Sequence, residues 1–157
     1  MFPVHVPRTP LTGLNRTKSE IHPLGNTARP GHAMPMKGDN IAERLETFGS
    51  DIILLVRDLA TDKAGRHIAD ELLRSGTAGG SNYQEARSAQ SRRDFVHKVS
   101  MAAKELREAI YWLALVEHTS LGHTEIARAL RREAGELVAI LVASARTAKS
   151  GASEGNR

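Results

Sequence analysis

The chain contains no cysteine, which excludes disulfides and thiolate metal sites and fits a reducing cytoplasm. Proline is confined to one end. All six prolines fall at positions 3, 7, 10, 23, 30 and 35, so from Met36 to Arg157 the strongest helix breaker is absent. No apolar run approaches the length of a membrane span, and the early prolines interrupt every stretch that could act as the core of a signal peptide. At 157 residues the chain suffices for one core and is short for two.

What is present divides in two. Residues 1–38 are rich in Pro, Gly, Thr and Asn, show no sustained helical or strand period, and carry too little apolar surface to offset chain entropy. They are expected to be a disordered basic tail, with residues 39–148 forming the folded body and 149–157 a frayed C-terminus. A transit peptide is one reading of the tail. The other is that the initiator is Met34 or Met36. The tail sets Arg8, Arg16, Lys18, Arg29 and Lys37 against Glu20, which accounts for the formal net charge of +4 of the whole chain. The body is therefore neutral overall, and the high isoelectric point is no argument that the body binds nucleic acid.

Periodicity in the body predicts four helices. Ile41, Leu45, Phe48, Ile52, Leu55, Val56 and Leu59 form the stripe of the first, expected to run from an N-cap at Asp39 or Asn40 to about Ala60. The second begins near Lys63 or Ala64 and turns Ile68, Leu72 and Leu73 inward. Gly76, Gly79 and Gly80 should weaken it by about 1 kcal/mol each relative to alanine, yet Leu72, Gly76, Gly79, Tyr83 and Ala86 continue one stripe, which predicts an unbroken helix packed closely through small residues. In the third, Phe95, Val99, Ala102, Leu106, Ala109, Leu113 and Val116 recur at steps of four and three behind a Ser91 cap. Its opposite side carries Arg93, His97, Ser100, Lys104, Arg107 and Glu108. After a turn containing Gly122, Thr124 is the expected cap of the fourth helix, whose stripe is Ile126, Leu130, Ala134, Leu137, Leu141 and Ser144. Short loops between helices of similar length predict an all-α, up-down-up-down antiparallel four-helix bundle.

Catalytic patterns are missing. Asp94/His97 and His67/Asp70 have i,i+3 spacing, but neither belongs to the repeated Glu-x-x-His set that carboxylate-bridged metal bundles use. Ser75, Gly76 and Thr77 lack the Gly-Lys-Ser/Thr and preceding strand of a phosphate-binding loop, and no strand supplies a nucleophile elbow. No enzyme, cofactor or metal is expected. Tyr83, Tyr111 and Trp112 are read as packing or interface anchors. Charge, by contrast, is segregated: Asp39 to Asp62 has six acids and two arginines, whereas Arg87 to Arg107 has two acids and the six cations Arg87, Arg92, Arg93, Lys98, Lys104 and Arg107. Such a run is commonly a solvated face; repeated around a ring it becomes a phosphate-contacting surface.

The segment Arg74–Thr77, Asn82, Tyr83, Glu85, Ala86, Ser91–Phe95 and Tyr111–Leu113 closely resembles the signature of the four-helix-bundle proteins called the intervening-sequence proteins of 23S ribosomal RNA. The resemblance covers about Ile41 to Ala145, is specific from Arg74 to Leu115, and excludes the tail. Gly79 and Gly80 depart from the family's usual small-plus-isoleucine choice. The resemblance implies a cytoplasmic homopentamer with no known enzymatic activity. The chain is also similar to the accessory protein of diversity-generating retroelements, which implies RNA or single-stranded DNA and a reverse transcriptase or other protein as partners. Two functions follow as expectations: an oligomeric nucleic-acid-associated accessory factor using the six cations above, or a structural protein-protein interaction module.

Overall fold

The computed structural model describes residues 38–59, 61–119, 121 and 123–150. They form four helices and no strand: α1 (Asp39–Arg57), α2 (Lys63–Arg87), α3 (Arg92–Thr119) and α4 (Thr124–Ser150). The tail expected over 1–38, apart from Gly38, lies outside the described residues, as do Ala60, Gly122 and the chain beyond Ser150.

Two helix starts differ from expectation. α1 is opened by Gly38, not by an Asp39 or Asn40 cap; Gly38 adopts φ 107° and its carbonyl accepts from the N–H groups of Ile41 and Ala42, both at 3.1 Å. That left-handed conformation favours glycine, and a Cβ there would also stand 2.8 Å from the Tyr83 hydroxyl. The Asp39 carboxylate is left to pair with Arg87. Thr124 is the first residue of α4 and not its cap, because the carbonyl of His123 takes the first helical bond, from Ala127 N–H at 3.0 Å. Elsewhere side chains do cap: Asp62 accepts from Gly65 N–H at 2.7 Å, and Ser91 accepts from Asp94 N–H at 3.1 Å, as its position predicted. α1 ends three residues before Ala60, and the tight turn after Arg57 still folds Leu59 into the core.

Cross-helix pairs fix the directions. Asp39 at the start of α1 meets Arg87 at the end of α2, Glu85 meets Lys98 at the start of α3, and Glu117 near the end of α3 meets Arg128 at the start of α4. Arg44 in turn reaches Glu133 and Glu136, so α1 closes the bundle antiparallel to α4. Each helix packs on its sequence neighbours, α1 only sparsely on α4, and the diagonal pairs do not touch among the described residues. This is the expected up-down-up-down bundle.

The core follows the helical stripes. Leu45, Phe48, Ile52, Leu72, Val99, Ala102, Leu106, Leu113, Leu137 and Leu141 are buried. Leu73 and Ile126 are corrections to the expected stripes: they are 39% and 46% exposed. Each lies about 100° around its helix from a better-placed neighbour, Leu72 or Ala127, which takes the inward position. α2 runs unbroken through its glycines. A Cβ on Gly76 would come within 2.9 Å of Ile52, and one on Gly79 within 2.9 Å of Leu106, so the missing side chains let α2 lie against α1 and α3.

The polar residues beside these glycines are also used. Ser75 is fully buried and donates to the Glu71 carbonyl at 2.8 Å. Arg74 joins Glu71 at 3.0 Å to Glu105 at 3.3 Å and to Glu108, tying α2 to α3. Glu105 is itself buried, a position that the hydrophobic pattern did not reveal.

Candidate nucleic-acid interface

The six cations singled out in the sequence do not make one patch. Arg87 is paired with Asp39, and Lys98 donates to Glu85 at 2.8 Å on the α2 side of α3. That bond raises the Lys98 pKa and lowers the Glu85 pKa, so both groups are spent holding α2 and α3 together. Arg92 lines a different feature, an open cleft of about 970 Å³ at the end of the bundle, walled by Ile41, Tyr83, Phe95, Ile140 and Ser144. The cleft exists because Arg44 stands opposite Glu133 and Glu136, in the middle of α4, so the rest of α4 runs past the start of α1.

Arg93, Lys104 and Arg107 remain. All three are exposed on the wet side of α3, and none makes an ion pair or side-chain hydrogen bond among the described residues. Arg107 is not isolated. With Arg146 and Lys149 of α4 it lines a groove of about 270 Å³ whose floor includes Val99, Ala103 and Leu141. Arg146 and Lys149 escaped the sequence reading, because they lie far from the basic run in the chain. Their i,i+3 spacing near the end of α4 was visible, and antiparallel register with α3 was the only signal that could have joined them to Arg107.

The other half of the same seam is neutralised. Glu117 accepts from Arg128 and from Arg131, both at 2.9 Å. The Arg128 hydrogen bond, followed by the charge and hydrogen bond of Arg131, holds the Glu117 carboxyl below the usual carboxylate range. On the α2 side, Trp112 packs edge-on against His67 and Tyr111, with ring centroids 5.5 and 5.0 Å apart, and Tyr111 is 57% exposed. Among the described residues no three His, Asp or Glu side chains converge as metal ligands, and no helix is long and apolar enough to cross a membrane.

Comparison with known proteins gives one family. No curated protein matches the chain. A crystal structure from Bacteroides thetaiotaomicron VPI-5482, described as a protein with unknown function from the S23 ribosomal protein family, matches with a TM-score of 0.63 and 30% identity over 67% of this chain and 97% of that one. Residues 40–143 match the model of the 23S rRNA-intervening sequence protein, a span that starts at the first turn of α1 and ends within α4. Four helices in this order, with Gly76 of the signature seated against Ile52, are thus the fold of a known group, and the chain belongs to the 23S rRNA-intervening sequence protein family.

Proposed function

We propose that this protein is a non-enzymatic, cytoplasmic, oligomeric accessory factor that binds nucleic acid. One observation carries the reading: the outer side of α3 presents Arg93, Lys104 and Arg107 on one stripe, without carboxylate partners among the described residues. Unpaired cations on a rigid helix are free to neutralise phosphates, and several copies in one assembly would add their contacts at high effective concentration. Assembly itself is supported by Ile53 and Leu54 on α1, which stand 45% and 57% exposed together with Leu73 and Ile126.

The test uses the full chain and the double variant Arg93→Ser/Lys104→Ser. Light scattering checks that the oligomer persists, and fluorescence anisotropy follows labelled single-stranded RNA and DNA across a salt series. The variant should bind more weakly, with a salt slope shallower by about 1.4 for each protomer engaged, since each single-strand phosphate contact contributes about 0.7. An intact oligomer with unaltered affinity and slope removes these residues from the interface. No binding by the unmutated chain transfers the preference to a protein-protein interaction module.

A further inference from the structure

Arg107, Arg146 and Lys149 come from two helices and line one groove. None has a carboxylate partner among the described residues. They gather three like charges on one exposed groove. We propose that this groove seats a backbone phosphate of a single nucleic-acid strand, a site that rests on the nucleic-acid reading above and gives it a location.

Three features define the occupant. The first is sign: the rim is cationic on both helices, and two of the three groups are guanidinium forks that match phosphate oxygens in pairs. The second is size. At about 270 Å³ the groove falls just below the roughly 300 to 1,000 Å³ of ligand sites, room for one phosphodiester with its adjoining sugar. The third is the floor. Val99 and Leu141 are fully buried and Ala103 nearly so, which puts low-dielectric material beneath the charges and strengthens their field.

Base reading is not built in. Ser100, the one hydroxyl lining the groove among the described residues, already donates to the Val96 carbonyl at 2.7 Å. With the three charged groups engaged by the phosphate, recognition rests on backbone charge, and binding should be indifferent to sequence.

The experiment compares two double variants of the full chain that remove equal charge. Arg146→Ser/Lys149→Ser empties the α4 side of the groove, while Arg57→Ser/Arg132→Ser removes two exposed cations that line no groove with Arg107. Circular dichroism and light scattering confirm helicity and assembly, and the probes are a labelled oligothymidylate and a duplex of equal length. For the single strand, the groove variant should lose about 0.7 in salt slope for each groove engaged, one phosphate contact, and the control variant should keep the slope of the unmutated chain. Equal losses in both variants, or none in the groove variant, overturn the site. Equal losses on duplex and single strand overturn the single-strand assignment. If the unmutated chain binds neither probe, the nucleic-acid reading itself fails; if it binds and only Arg93→Ser/Lys104→Ser weakens it, the reading stands and the groove alone is lost.

Discussion

Where α3 runs into α4, Glu117 accepts from Arg128 and Arg131 at 2.9 Å; toward the opposite end of the same seam, Arg107, Arg146 and Lys149 line a groove with no carboxylate among them. Both halves rest on the same aliphatic floor, continued from Val99 and Leu141 to Leu113 and Ala127. Packing therefore does not require the charges to be paired at one end and bare at the other. The paired end fixes the register of two helices. The bare end makes no ion pair among the described residues to set register, which is the distribution expected when folding and ligand binding draw on different stretches of one interface.

Both halves share one core, so the largest effect should come from Ala102→Asp, which places a charge at a fully buried position. Stranding a carboxylate there should cost about 3–5 kcal/mol, enough to lose cooperative thermal unfolding. A melting temperature equal to that of Ser100→Asp, an exposed position two residues away, would refute the assigned face of α3.

Next in size is Gly79→Leu. A Cβ alone would stand 2.9 Å from Leu106, and a whole leucine should overpack the α2–α3 contact by about 1–3 kcal/mol, read as a lower urea midpoint. Unchanged stability would mean that α2 does not need its glycines to hold α3 in place.

Glu117→Gln weakens the paired end. The folded pKa of Glu117 is lowered by Arg128 and then Arg131, so its stabilisation is present above the ordinary carboxylate value of about 4.3 and is lost as pH falls through the lowered folded value. The variant should melt below the parent at neutral pH, and the gap should close in acid. A gap that does not narrow as the pH is lowered would show that shape and not charge is responsible.

The smallest stability effect should belong to Ser100→Glu, which supplies the bare end with the carboxylate it lacks. Exposed pairs are worth about 0–1 kcal/mol, so melting should rise slightly or stay level while single-strand binding falls. Retained binding at an unchanged melting temperature would detach the groove from nucleic acid.

Much of the fold was legible residue by residue. The steps of four and three in α3 located Val99, Ala102, Leu106, Ala109, Leu113 and Val116, all buried, because helical geometry converts spacing into facing without further information. The continuity of α2 through Gly76 and Gly79 was legible for the same reason. Leu73 and Ile126 were misplaced because two adjacent leucines, or an isoleucine beside an alanine, leave the phase of a stripe open by one residue. The candidate interface was legible only in part. Arg93, Lys104 and Arg107 were named as cations of the wet face or basic run, but Arg87 and Lys98, named with them, met acids from other helices, and no local pattern announces such partners.

Sequence by itself determined four helices, their inward stripes, the Ser91 cap and the family signature, since each depends on residues within a few turns of one another. Tertiary structure decided which charges are spent and which are free. Arg74 is absorbed by Glu71, Glu105 and Glu108, and Arg128 and Arg131 by Glu117; Arg107 instead finds Arg146 and Lys149 across the seam. The physical reason is one of range: a helical stripe is set by backbone geometry over a few residues, whereas the partner of a long charged side chain is set by antiparallel register between helices far apart in the chain.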